Sequence, residues 1–347
     1  CITVKVTFPE IKPSGIFTHS QHLQLRGQLW HIIHMNYQIP ILSLKKSSKH
    51  HKHLIISLNN LKNASTKIYF FKMVKLSIIR NGYTAQFLSK EAIKKGLQVS
   101  IITRNISKPK KNIHYFNYFD SKNIAEKLSK ENIISTVPPN EEGLDPVIQK
   151  YRKSIASNKN KIIYFSATSV YGEGETDEET KPDPKHNRGI IRLNAEEEWI
   201  KTNQKTSIFR IAGIYGPKRH PMIKYLEGNN EILVKKDYIP NRIHVEDLSS
   251  IAIQFLIKNL NNKIINICDQ NKISSYEAVK FVANELELNE PLIIKYNSNK
   301  VSESLKSFYE FNRIIKCKVI ENELKYKYKY PDYAKALLTL TKKIIKK

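Results

Sequence analysis

From residue 75 onward, apolar residues come in short runs separated by polar, helix-patterned stretches. "KLSII" (75–79) and "QVSIIT" (98–103) have the length and β-branched content of strands buried on both faces of a sheet. Between them Ala85, Leu88 and Ala92 fall at i, i+3 and i+7, one face of a helix, and Gly96 follows as a stop. Further strand runs are "NIHYF" (112–116), "NIISTV" (132–137), "KIIYFS" (161–166), "SIFRIAG" (207–213) and "KIINIC" (263–268). Strands alternating with helices predict an α/β fold: a Rossmann-like, doubly wound parallel sheet whose ligands sit at the carboxyl ends of its strands. Residues 1–72 show neither period. They read as a disordered leader or upstream translated sequence, with the texture changing at Met73.

Composition adjusts this picture only at its edges. The chain of 347 residues carries a formal charge of +26, with +9 in residues 1–72 and +17 in residues 73–347. So basic a chain invites a nucleic-acid reading. The charge is spread as lysine over many faces rather than gathered, so a nucleic-acid partner is not expected. "KYKYKY" (325–330) reads as a strand with tyrosines inward and lysines outward, although such runs also stack bases. Cys1, Cys268 and Cys317 form no C-x-x-C pair, which excludes a disulfide framework and a cysteine zinc site. "SSKHHKHL" (47–54) has the imidazoles of a metal tract but no cysteine or acid beside it, and no metal is expected. No apolar run has the length of a membrane span, and cytoplasm is the expected compartment.

The turn after the first strand carries the first candidate chemistry. In "RNGYTA" (80–85), Gly82 and Ala85 match the second and third positions of G-x-G-x-x-A, the phosphate-cradling pattern of dinucleotide-binding folds. Arg80 stands where the first glycine permits a tight turn. If that turn needs φ > 0, the side chain costs about 1–3 kcal/mol, and its guanidinium either points outward or contacts a phosphate. Arg80, Gly82, Tyr83, Thr84 and Ala85 are therefore candidate cofactor-binding residues. The second strand ends in Thr103-Arg104-Asn105 with no acid for a ribose 2′-hydroxyl. Arg104 favours a 2′-phosphate, hence NADP over NAD. A dinucleotide-binding domain is expected over 73–235, with the remaining sheet strand and a smaller C-terminal substrate lobe over 236–347.

"YFSATSVYGEGETDEETKPDP" (164–184), "FRIAGIYGP" (209–217), "NRIHVEDLSSIAI" (241–253) and "YPDYAKAL" (330–337) together resemble the extended short-chain dehydrogenases/reductases, the NAD-dependent epimerase/dehydratase group. "TVPP" (136–139) and "RLNAEEEW" (192–199) resemble an atypical branch of it. The resemblance implies a nicotinamide cofactor touching Thr136, Val137 and Pro138, and Tyr215, Gly216 and Pro217 beside the nicotinamide. It also implies a nucleotide-sugar-like or other phosphorylated small-molecule substrate, with Arg242 on a phosphate. Relatives often dimerise through two helices, so a homodimer stays open.

Redox members use a tyrosine as acid/base and a lysine four residues later. Here those positions fall on Arg188 and Arg192, which cannot shuttle a proton near neutrality but would bind an anion. The alternative for Arg192 is a helix-face pair with Glu196. The remaining proton-donor candidates are Ser166, Thr168, Ser169 and Tyr171. Tyr276 and Lys280 match Y-x-x-x-K but come too late in the chain to serve. The sequence thus leaves three readings open: an NAD(P)-dependent epimerase-like protein, a catalytically silent binding module and, behind these, a nucleic-acid-binding atypical relative.

Overall fold

The computed structural model describes residues 74–106, 109–261, 263–269 and 271–346. The expected leader over 1–72 and its histidine tract lie outside these residues. All the described residues belong to one compact unit, Lys72–Lys347.

The expected parallel sheet is present. β1 (Lys75–Ile79) is followed by α1 (Tyr83–Lys94), β2 (Gln98–Thr103), β3 (Ile113–Asn117), α2 (Ser121–Lys130) and β4 (Asn132–Ser135). Next come α3 (Pro146–Ser157), β5 (Ile162–Ala167), β6 (Gly174–Thr176), α4 (Asn187–Thr202), β7 (Thr206–Ile211) and β8 (Gly213–Tyr215). The remainder is α5 (Met222–Leu226), β9 (Glu231–Val234), β10 (Arg242–His244), α6 (Val245–Ile257), β11 (Ile264–Ile267), α7 (Ser275–Glu285), β12 (Leu292–Lys295), α8 (Glu303–Tyr309), β13 (Arg313–Ile315) and α9 (Tyr333–Ile345). Seven strands pair in parallel in the order β11-β7-β5-β4-β1-β2-β3. The order reverses between β1 and β4, the crevice where such sheets take ligands.

Burial explains why these runs became strands. Leu76, Ile78, Ile101, Ile134, Ile163 and Phe209 fill one face of the sheet against α1 and α6. Ile79, Ile102, Ile133, Ile162, Tyr164 and Ile208 fill the other against α2, α3 and α4. Both faces are covered, so the strands read as continuous apolar runs. The helical period in α1 is realised by Ala85, Leu88 and Ala92, each fully buried. Leu248, Ile251, Ala252 and Phe255 do the same for α6.

A third cluster forms the smaller lobe: Tyr215, Met222, Tyr225 and Ile232 pack with α7 and α9 through Val279, Val282 and Leu337. The lobe therefore draws on chain before residue 236 as well as after it, because α5 and β9 fold away from the sheet.

Two local expectations change. Residues 325–330 are not a strand, although their alternation is right: each lysine is exposed and each tyrosine at least half-buried. Asp247 at the start of α6 accepts from Tyr326 Oη (2.7 Å), Lys329 N (2.8 Å) and Tyr330 N (3.0 Å), so the run is pinned along a helix instead of a partner strand. The hydroxyl of Tyr328 is bonded to Cys268 O at 2.7 Å, so this ring is held inward and not presented to a base. Cys268 and Cys317, far apart in sequence, meet as free buried thiols with sulfurs 3.0 Å apart.

Candidate functional site

A cleft of about 1070 Å³ opens over the carboxyl ends of β1, β4, β5 and β7 and is closed on its far side by the segment around α8. Five arginines line it: Arg80, Arg188, Arg192, Arg219 and Arg313. The carboxylate lining it among the described residues is Glu303, whose own ion pair with Lys306 Nζ (2.7 Å) neutralises it. Five fixed positive charges in one concave space favour a polyanionic ligand.

At one end, β1 delivers the chain into the turn before α1. Arg80 sits there at φ +81°, the left-handed region expected if the missing glycine's geometry is kept. Its N–H still donates to Ile102 O at 2.8 Å, which ties the turn to β2. The strain, about 1–3 kcal/mol, is borne by an arginine whose Nε and Cδ lie 3.7 and 3.9 Å from where a Gly82 Cβ would be. The guanidinium stem thus lies over the N-terminus of α1. That terminus has no side-chain cap and no acid in its first turn, so its N–H groups and dipole remain open to an anion. Thr84 faces the same space, and Ala85 is fully buried where helix and sheet approach. Thr136 Oγ1 donates to Ile79 O (3.0 Å), and with Pro138 it forms the wall beyond β4. Val137 packs into the core instead.

Tyr83 does not face the cleft. Its hydroxyl donates to Pro217 O at 3.0 Å, its ring lies 5.6 Å beneath the Arg219 guanidinium, and burial pushes its pKa up to about 12. Gly216, at φ +150°, allows this contact, since a Cβ there would lie 2.8 Å from Tyr83 Oη and 2.7 Å from Val245 Cγ1. The wall expected from Tyr215, Gly216 and Pro217 is built by Ile211, Ala212, Gly213 and Ile214. Tyr215 turns into the small lobe, against His244 and Tyr333, because its ring completes that lobe's core.

At the other end stand the residues of β5 and α4. Ser166, Ala167, Thr168 and Ser169 line the cleft. Ser166 is not available as a proton donor to a ligand: its Oγ donates to Glu196 Oε1 at 2.5 Å. Glu196 is in turn clamped by Arg210, with Nη2 to Oε2 at 2.7 Å and Nε to both oxygens at 3.2 and 3.1 Å. This corrects the expected Arg192–Glu196 pair. Glu196 points inward to a buried arginine, while Arg192 Nη1 reaches Tyr164 Oη and Phe165 O, each at 3.2 Å. Ser169 Oγ is buried and has no partner among the described residues.

Two further candidates leave the site. Tyr171 is fully buried, its hydroxyl between Asp177 O and Asn266 Oδ1 at 2.8 Å each, and burial raises its pKa. It is a core tyrosine, stacked on Arg210 at 4.8 Å. Arg242 donates to Pro240 O, Ile273 O and Ser275 Oγ and lies 4.1 Å over the Tyr333 ring, so it staples the lobe and does not line the cleft. Arg104, exposed just past the end of β2, does not line the cleft. Tyr276 and Lys280 share Glu290 at the surface (2.9 and 2.5 Å) and have no part in the cleft.

Arg219 and Arg313 were not singled out in the sequence. Arg219 stands two residues past the quoted "IYGP", where charge following the motif is a usable signal. Arg313 arrives from far along the chain through β13 pairing with β6, which no local pattern announces.

In its Rossmann-like fold the chain is similar to solved structures of the extended short-chain dehydrogenase/reductase, epimerase/dehydratase kind. The chain is 29% identical over 223 residues to protein YeeZ of Escherichia coli strain K12, a match covering 61% of this chain and 76% of YeeZ. Among solved structures it matches a functionally unknown conserved protein from Silicibacter pomeroyi with a TM-score of 0.70 and 25% identity, covering 78% of this chain and 99% of that one. It also matches human epimerase family protein SDR39U1, solved with NADPH, with a TM-score of 0.61 and 12% identity, covering 78% and 99%. No protein-family model matches the sequence. No helix of the described residues is long and apolar enough to cross a membrane, and no cluster of metal-ligating side chains occurs among them.

Proposed function

We propose that the protein binds a nicotinamide dinucleotide, NADP in preference to NAD, together with a phosphorylated small molecule of nucleotide-sugar type, without a tyrosine–lysine proton relay. The observation that carries this reading is the uncapped N-terminus of α1 opening into a five-arginine cleft. The residues present fit the cofactor. The first-turn N–H groups of α1, Thr84 and the swung guanidinium of Arg80 would hold a diphosphate. Arg104, with no acid at the end of β2, would favour a ribose 2′-phosphate. The binding of NADPH by the structurally similar human protein supports the same ligand class.

The bound nicotinamide would supply hydride chemistry. The chain's own residues would bind and orient, and they offer little for proton transfer. Arginine side chains, which stand at 188 and 192, do not shuttle protons near neutrality, Ser166 is committed to Glu196, and burial pushes Tyr238 up to about 12. Without a positioned acid/base, any turnover would fall short of a complete relay by about 10²–10⁴-fold. That same lack supports a second reading, a silent module that uses bound cofactor for regulation.

The test is a fluorescence titration with NADPH and NADH on the parent and Arg80→Gly. NADPH binds the parent at micromolar concentration and more tightly than NADH. Loss of one charge-assisted contact in Arg80→Gly weakens NADPH about tenfold, while relief of the positive φ raises stability by about 1 kcal/mol. Tighter binding in the variant would make Arg80 a plug, and no binding by either protein would end the cofactor reading.

A further inference from the structure

We infer that the amino-terminal edge of the sheet, opposite the cleft, carries a separate site for an oligophosphate group, held by four lysines. It goes beyond the reading given for the cleft and does not depend on it. A cavity of about 460 Å³ opens where β4, β5, β7 and β11 begin, a size suited to a small ligand. Lys159, Lys161, Lys205 and Lys263 line it, and no carboxylate does so among the described residues. The amines that have partners donate to neutral oxygens: Lys161 to Leu260 O and to Asn261 Oδ1 (2.7 Å), Lys205 to Lys159 O (2.8 Å) and Lys263 to Gln204 Oε1 (3.2 Å).

The sheet brings these charges together. Its parallel register pairs Ile162 with Thr206 and Ile264 with Ile208. Lys161 and Lys205 each stand one residue ahead of a paired position, so two like charges start neighbouring strands, an arrangement that opposes pairing unless something neutralises it. Lys161 is only 9% exposed. Burial, and after it the Lys205 charge, pushes its pKa down. A buried ammonium group that meets only neutral acceptors and another cation calls for a counter-charge from outside. Glu131, adjacent in sequence to the lining residue Asn132, does not supply it, because its carboxylate is taken up by Lys127 Nζ at 3.0 Å and Ser77 Oγ at 2.7 Å.

The lining also selects the kind of anion. All of its residues are polar, with no aromatic or aliphatic one among them. A base finds no ring to stack on, which disfavours single-stranded nucleic acid. Lysines grip phosphate as point charges, and several of them around one small space match several phosphate charges on a short chain. The ligand is therefore inorganic oligophosphate or the phosphate tail of a nucleotide, taken without regard to its base.

Isothermal titration calorimetry of the full chain at about 0.15 M salt tests this, with tripolyphosphate, orthophosphate, ATP, GTP and a short single-stranded RNA as probes. Tripolyphosphate binds one to one and at least about tenfold more tightly than orthophosphate, and ATP and GTP match each other. Lys205→Gln with Lys263→Gln, two exposed positions, weakens tripolyphosphate about tenfold or more. The charge-matched control Lys342→Gln with Lys343→Gln, on α9, and the cleft variant Arg80→Gly leave it unchanged. No binding by the parent overturns the inference. So does an equal loss in the two lysine pairs, which would mean diffuse attraction to a basic chain, or a loss in Arg80→Gly alone, which would move the anion to the cleft. RNA that binds more tightly than tripolyphosphate and is lost in Lys205→Gln with Lys263→Gln would replace the small ligand by a nucleic acid.

Discussion

Replacing Glu196 by alanine is expected to cost about 3–5 kcal/mol of folding stability, measured by urea denaturation. The carboxylate is 1% exposed and joins α4 to β5 and β7 through Ser166 and Arg210. Arg210, itself 4% exposed, has its guanidinium over the Tyr171 ring, so bulk solvent has little access to replace the lost partner. Breaking a buried pair leaves an uncompensated charge, whereas removing both charges does not. The double change Glu196→Leu with Arg210→Met should therefore recover most of the loss. If the single and double variants are equally destabilised, packing rather than charge dominates at this junction. Ser166 lines the cleft, so the single variant should also weaken ligand binding by freeing that wall.

The second large effect concerns pH. Asp269, buried just past the end of β11, has its pKa raised by desolvation to about 7, with the nearby Arg242 opposing and Asp247 reinforcing the shift. One oxygen accepts from Asn271 N at 3.1 Å and the other has no partner among the described residues. The folded state holds this proton more tightly than the unfolded chain, whose aspartate titrates near 3.9. Its stabilising contribution is therefore complete below about pH 4 and is lost as pH rises through 7. The difference is of the order of 4 kcal/mol across that window. Denaturation midpoints from pH 5 to 8.5 should fall with pH in the parent and fall less in Asp269→Asn, which should be the more stable protein at pH 8. Parallel profiles for the two proteins would show that Asp269 ionises normally.

The sheet was legible because its central strands are covered on both faces. Runs such as Lys75–Ile79 and Gln98–Thr103 match their strands residue for residue. The buried stripe of α1 was equally plain, since Ala85, Leu88 and Ala92 report a single neighbour. The small lobe was harder to read. Its core joins Tyr215 and Met222 to Leu337, and such distant partners leave no periodic trace. Tyr215 looked like a cofactor contact because its motif ends a strand, and only the ring's destination shows otherwise. The site residues split for a related reason. Arg80 and Arg188 were found by position in a motif, while Arg313 depends on a strand pairing between segments far apart in the chain. Glu196 misled because its i−4 neighbour is an arginine, and helix spacing cannot say which face turns inward.

The way the chain threads between its two cores restricts how a ligand enters. The backbone leaves the sheet's core after Ala212, returns by Ile243, leaves after Cys268, returns by Ile315 and leaves again after Leu324. A body tethered by so many crossings cannot swing on a single hinge. Admission must come from small sliding of packed surfaces or from the segment around α8 lifting at the mouth. Ligand uptake by this molecule should accordingly be gated by local loosening over Glu303–Tyr309, visible as fast amide exchange there while the α7 and α9 amides stay protected.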